Sequence, residues 1–254
     1  MKTRFHLKGV AAFFLLLILA VGCKKEDEPP EFEQIAFDSQ EVLDLLPAGL
    51  TGSADEKAKE CMGMIETALD MSGFMDNMEV PENAQKTAKK GTTGTWSWTW
   101  NHMGGELWTF YWTYDEDNTK MYWTMEIQFG DGPRYDYIEA WEAKDGSGGE
   151  IIYNFNWPAI YDGETVYEDL FLRISWQMDS AGNYTYSWYW EADTTDYIYL
   201  WHYDIMVNAD GSGSIDYYLA DELYYHMEWD ALGNGTWSYY FGGGLNSTGS
   251  WIVG

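Results

Sequence analysis

The chain is poor in cysteine, in positive charge and in long apolar runs, and each shortage removes a class of protein. Only Cys23 and Cys61 are present, so no disulfide framework holds it together and stability must come from packing. Against 42 acidic residues stand 14 lysines and arginines, a formal charge of −28. From Thr95 onward the basic side chains are Lys120, Arg134, Lys144 and Arg173 alone. They form no basic patch, and a polyanion repels phosphates, so nucleic acid is excluded as a partner. The longest apolar run, Val10 to Val21, falls short of the roughly 20 residues of a spanning helix. HExxH, GxSxG, Walker A and GxGxxG patterns are all missing, which removes the common zinc, acyl-enzyme and nucleotide chemistries. A glycosidase needs only two carboxylates about 5 to 10 Å apart, yet so acidic a chain offers many pairs and no means of choosing one. The expectation is a non-enzymatic protein with no cofactor, no bound metal and no catalytic residue.

What is present begins at the N-terminus. Lys2, Arg4 and Lys8 make a positive region ahead of the apolar run, and small residues follow it: Ala20, Val21, Gly22, then Cys23. Residues 1–22 read as a signal peptide. Ala20 to Cys23 resemble a lipobox, the processing motif of bacterial lipoproteins, and no A-x-A-like site is better placed. The resemblance implies cleavage before Cys23 and a diacylglyceryl group on its thiol. Two or three acyl chains, at about 0.8 kcal/mol per buried CH₂, anchor a protein stably to a membrane. Lys24, Lys25, Glu26, Asp27 and Glu28 resemble the export signal of surface lipoproteins in the Bacteroidetes, which implies an outer-membrane protein facing the cell exterior. Residues 23–34 then serve as a charged tether. Cleavage would remove three basic side chains and no acidic one, so the mature chain is more negative still. That charge is expected to keep an aromatic protein soluble and monomeric.

Residues 35–94 read as a helical segment and a linker. Asp38 with Glu41 has the form of a capping box opening a short helix through Leu46, closed by Pro47 and Gly49. Ser53 with Glu56 repeats the device. Ala58, Cys61, Met62, Ile65, Ala68 and Leu69 then fall on one face of a helix over about 54–72, which Gly73 ends. Residues 79–94, with Pro81, three lysines and two glycines, look like a linker.

At Thr95 the period changes from helical to two, and all fifteen tryptophans lie between Trp96 and Trp251. Trp96, Trp98 and Trp100 alternate with Ser97 and Thr99, and Tyr184, Tyr186, Trp188 and Trp190 alternate with Thr185 and Ser187. One face is aromatic and the other polar. Turn-forming clusters follow every ten to fifteen residues, at Asp115–Asn118, Gly130–Pro133, Asp145–Gly149, Ser180–Asn183, Asp193–Asp196, Asp210–Gly213 and Gly233–Gly235. The fold expected is mainly β: an antiparallel meander of about 12 strands over 95–254, forming a barrel or a strongly curled sheet after the short helical segment. Sliding the region by 78 residues sets Trp98 on Trp176, Trp112 on Trp190 and Trp123 on Trp201. This suggests a duplicated five-strand meander, 94–157 and 172–229.

Several constellations invite a chemical reading. His202 and His226 sit in predicted strands where they would meet across the sheet as metal ligands, although a strand histidine is more often an ordinary polar-face residue. The turns Asp115–Asn118 and Asp210–Gly213 offer oxygens that a calcium ion accepts, but Asp and Gly are also what tight hairpins require. The aromatic stripes are first of all a core. Tyr189, Tyr218, Tyr224 and Tyr240 are the exception, since they fall on the polar face beside Glu191, Asp216, Glu228 and Ser238. Rings next to carboxylates are a means of stacking on and hydrogen-bonding sugars, so the binding residues expected are these four tyrosines with Glu191 and Glu228. Besides the membrane held through Cys23, the partner expected is a glycan. The alternatives are an apolar ligand inside an aromatic β-cup, an architectural analogy with lipocalins, and a structural surface protein. A transmembrane barrel is disfavoured because its aromatics would sit in girdles.

Overall fold

The computed structural model describes residues 38–70, 85–88, 94–101, 107–154, 158–161, 164–167, 169–193 and 198–253. The signal peptide, Cys23, the tether and the helix stop at Gly73 lie outside them. None of the described helices is long and apolar enough to cross a membrane.

Three helices come first: α1 (Ser39–Leu45), α2 (Ala48–Thr51) and α3 (Glu56–Asp70). Asp38 caps α1 by accepting the Gln40 N–H at 2.8 Å. α1 ends at Leu45 with Leu46 as its extended C-cap, as expected, but Gly49 closes nothing, because a second short helix, α2, begins directly after Pro47 and contains it. Asp55, not Ser53, caps α3, accepting the Lys57 N–H at 2.8 Å. Ser53 instead accepts the N–H of Asp55. The buried face of α3 is Ala58, Cys61, Ile65, Ala68 and Leu69, the stripe that the sequence spacing predicts.

The strands are β1 (Gln85–Ala88), β2 (Gly94–Asn101), β3 (Leu107–Glu116), β4 (Lys120–Phe129), β5 (Arg134–Ala143) and β6 (Gly148–Asn154). A small separate hairpin, β7 (Pro158–Tyr161) with β8 (Glu164–Tyr167), interrupts the series. It resumes with β9 (Asp169–Met178), β10 (Tyr184–Asp193), β11 (Ile198–Val207), β12 (Gly213–Leu219), β13 (Glu222–Trp229), β14 (Gly235–Phe241) and β15 (Gly244–Trp251). All but β7 and β8 form one antiparallel meander of 13 strands in chain order, with β1 and β15 at its edges. The sheet is therefore open rather than a closed barrel. β1 lies inside the expected linker, and the β structure begins at least ten residues earlier than Thr95.

The alternating pattern sorts the side chains as expected. Trp112, Trp123, Ile138, Ile151, Ile174, Tyr186, Trp188, Ile205, Met227 and Trp251 are buried on one face, in a single cluster with Val42, Leu50, Cys61 and Ile65 of the helices. Thirteen strands at about 4.8 Å spacing make a sheet about 58 Å wide, whereas α3 is about 22 Å long. A single core shared by both requires the sheet to curl around the helices. Tyr186 fastens the two layers by donating its hydroxyl to the Ala68 carbonyl at the end of α3, 2.8 Å away. Lys57 adds a second tie, its ammonium 4.6 Å from the Trp237 ring centre.

Tryptophans close the hairpins by lying over glycines of the neighbouring strand. A Cβ on Gly213 would stand 2.5 Å from the Trp229 ring, and Gly149 and Gly235 are covered in the same way by Trp176 and Trp251. Trp229 donates its indole N–H to Gly211 O at 2.9 Å, and Trp251 donates to Gly233 O at 2.7 Å. Gly211 and Gly233 have positive φ, 86° and 93°, so the same turn recurs 22 residues apart. This 22-residue hairpin repeat is finer than the 78-residue one. The longer shift carries β4 (120–129) onto the bounds of β11 (198–207), and β7–β8 falls between the two proposed copies.

Candidate functional site

The face turned away from the helices holds the clefts, and register explains its surface. Cross-strand partners place Trp141 beside Glu150, then Ser175, Ser187, Asp204, Asp216, His226, Ser238 and Thr248 in one straight row over β5 to β15. A second row, Gln177, Thr185, Met206, Ser214, Glu228, Thr236 and Ser250, runs parallel to it. The serines are short, so the sheet is scooped out above them. The result is a trough of about 690 Å³ running from Lys120 and Trp141 to Ser214 and Asp216. A further cleft of about 800 Å³ shares Met206 and Ser214 with it and continues over β13 to β15.

Trp141 stands at one end, with the Lys120 ammonium 3.3 Å from its ring centre. One row further over on the same face, beyond the trough's own lining, the partners Arg173, Tyr189, His202 and Tyr218 make an aromatic wall. His202 stacks on Tyr218 at 5.0 Å between ring centres and 23° between planes. Tyr189 meets His202 edge-on at 5.8 Å and donates its hydroxyl to Glu191 at 2.9 Å. Partial burial, then the Glu191 carboxylate, push the Tyr189 hydroxyl up to about 12, so it stays a donor at every physiological pH.

Of the residues expected to bind, Tyr189, Tyr218 and Glu191 share this wall. Glu228 lies in the second row and accepts the Thr236 hydroxyl at 3.0 Å. Tyr224 is a correction. A β-bulge between Tyr217 and Tyr218 in the pairing with β13 shifts the register, and Tyr224 turns into a cluster with Tyr217, Tyr225 and Tyr239. Its hydroxyl is bonded to that of Tyr239 at 2.9 Å. One extra residue reverses the alternation, which the sequence pattern does not reveal. Tyr240 follows a similar bulge in the β14–β15 pairing and lies four strands, about 19 Å, from Tyr189, so it is not part of the same wall.

The histidines do not meet as metal ligands, since β12 lies between their strands. His202 pairs with Asp204 at 2.8 Å and His226 with Asp216 at 2.7 Å. Burial opposes the charge of Asp204, but hydrogen bonds from His202 and Ser187 outweigh it and hold the carboxyl below its usual range. Ser187, His202 and Asp204 do not form a nucleophilic relay. The serine at 3.1 Å and the aspartate both reach the same ring nitrogen, Nε2, whereas a triad needs the acid on the opposite nitrogen.

The turn carboxylates considered for calcium serve the hairpins. Asp117 Oδ1 accepts the Thr119 and Lys120 N–H groups, and Asp210 Oδ1 accepts the N–H and hydroxyl of Ser212. No protein-family model matches the chain, and no curated protein matches it in sequence.

Trp141, Lys120 and the serine floor were missed by sequence reasoning. Their one signal was the run of short side chains on polar positions, Ser175, Ser187 and Ser214, which only register brings side by side.

Proposed function

We propose that this protein is a lipid-anchored outer-membrane lipoprotein, exposed at the cell surface, that binds glycans on the outer face of its sheet without chemically altering them. The observation that carries the binding reading is the trough itself. It combines an indole, hydroxyls and carboxylates on one open concave surface, the donor and acceptor mixture that a polyhydroxylated ligand needs. The opposite face, where an apolar ligand would have to enter a cup, is occupied by α1, α2 and α3 and by fully buried rings such as Trp123 and Trp188. The lipobox supports the anchor, and the acidic tether supports a domain held away from the bilayer.

Two experiments test this reading. Tryptophan fluorescence titrated with polysaccharides should change saturably, whereas fatty acids and phospholipids should leave it unchanged. The reverse result would replace the glycan by an apolar ligand. A Cys23→Ser chain should lose acylation and leave the membrane fraction, and its retention there would refute the lipoprotein assignment.

A further inference from the structure

Building on the glycan reading, we infer that the ligand is an uncharged, extended polysaccharide lying across the strands, along the trough from Trp141 towards Asp216. The direction follows from the floor. Ser175 and Ser187 are direct cross-strand neighbours, so the low ground runs perpendicular to the strands, parallel to the neighbouring row that holds Tyr189 and Tyr218. The length follows from the strand count: the trough touches β4, β5, β6, β9, β10, β11 and β12. Six spacings make about 29 Å, the reach of five or six pyranose units at about 5 Å each.

The charge class follows from the lining. Glu150, Asp204 and Asp216 face the trough, and Glu228 and Asp230 line its continuation. Among the described residues, the one lysine or arginine lining the first cleft is Lys120, already seated on Trp141. A uronic-acid or sulfated polymer laid there would bring negative charge against three carboxylates, two of which, Asp204 and Asp216, are hydrogen-bonded to His202 and His226, and like charges at such separations repel. Hydroxyl groups instead donate to those carboxylates, and such charge-assisted bonds are the stronger kind. Trp141, one face of which Lys120 covers, offers the rest of its ring as an apolar surface for a sugar.

The test uses the full chain purified in detergent, with linear neutral glucan, mannan and xylan oligosaccharides of two to eight units, and with polygalacturonate and heparin. Calorimetry with at least one neutral series should show affinity rising with length and levelling at five or six units, with little dependence on salt and no binding of the two polyanions. Trp141→Ala should weaken the longest ligand about tenfold. Ser175→Tyr, which places a ring on the floor while leaving the aromatic wall intact, should lower the length at which affinity levels off. Binding of polygalacturonate or heparin in preference to the neutral series would overturn the inference and leave a glycan-binding protein. Full affinity already at two units, unchanged by Ser175→Tyr, would overturn the extended site in the same way. Silence towards every glycan would overturn both this inference and the reading on which it rests.

Discussion

Gly213→Ala is the sharpest test of how the hairpins are closed. The new methyl would sit 2.5 Å from Trp229 Cζ2 and 3.0 Å from Cε2, and would also press on the Met206 carbonyl. Carbon atoms pack at about 3.5 to 4.0 Å, so the indole must retreat by roughly 1 Å. It has little room, being 4% exposed and fastened through its N–H to Gly211 O. Overpacking costs about 1 to 3 kcal/mol, and a weakened hydrogen bond adds about 1 kcal/mol, so a loss of about 2 to 4 kcal/mol is expected in urea unfolding followed by circular dichroism. The mechanism makes a further demand. In a Trp229→Ala background, itself costing about 3 to 5 kcal/mol, the methyl meets no ring and only the carbonyl contact remains. The two substitutions should then fall short of additivity by at least about 1 kcal/mol. Additivity within about 0.5 kcal/mol, or a Gly213→Ala protein as stable as the parent, would refute the ring-on-glycine account. Gly63→Ala is the control: nothing lies within 4 Å of its Cβ position in α3, so it should stabilise by about 1 kcal/mol through helix propensity.

The remaining expectations concern turns and thiol chemistry. Ala220 and Asp221 connect β12 to β13 with φ of 51° and 60°, the conformation of a type I′ turn. Asn at 220 with Gly at 221 should therefore raise stability by about 1 kcal/mol in the same urea assay, and no gain would mean that the turn is not strained. Hydrogen bonds from turn groups hold the carboxyls of Asp117, Asp179, Asp210 and Asp230 below their usual range. Because the folded-state values are the depressed ones, this stabilisation is complete above about pH 4, the unfolded value, and is lost as pH falls through the lower folded values. Relief of the −28 charge acts in the opposite direction, so the measurement is a comparison. The urea midpoint of Asp230→Asn should fall less between pH 6 and pH 3 than that of the parent, and parallel falls would exclude the hydrogen-bond linkage. Burial pushes the Cys61 thiol up to about 12, so in a Cys23→Ser chain an aromatic disulfide reagent should react at the rate of unfolding. Immediate reaction in native buffer would show that the core around α3 is open.

The parts of the fold that could be read from sequence are those in which a strand states its own period. The alternation over Tyr184 to Trp190 needs no partner to be recognised, and the buried stripe from Ala58 to Leu69 follows from helical spacing alone. The parts that could not be read are those in which the usual residues are absent. Gln85 to Ala88 contain no alternating apolar pair, yet the strand forms because Lys86 and Thr87 find backbone partners in Trp96 and Thr95. The turn at Ala220 and Asp221 lacks glycine, asparagine and proline, so the β12–β13 hairpin had no local mark. The capping residue of α3 was misplaced by two positions because Ser53 with Glu56 fits the capping box whereas Asp55, followed three residues on by Ala58, does not, and only geometry decides that the Asp55 carboxylate reaches the Lys57 N–H.

The trough illustrates why a binding surface on a meander is harder to read than its core. A core position is defined by its own parity within a strand, so Trp112 and Trp188 declare themselves. A position on the trough floor is defined by what stands beside it on the next strand, and Ser175 and Ser187 are neighbours only because β9 and β10 pair in one register. A shift by a single residue would put those serines beside core aromatics and abolish the floor. Tyr224 shows the same dependence in reverse, since one bulge takes it from the outer face into the tyrosine cluster. The glycine and tryptophan hairpin locks therefore matter to the trough as well as to the core. By fixing register at Gly149, Gly213 and Gly235, they align the outer rows that a ligand would read. Substitutions there should misalign the trough even where the protein remains folded, so Gly213→Ala should weaken any trough ligand by more than its distance from Trp141 would suggest.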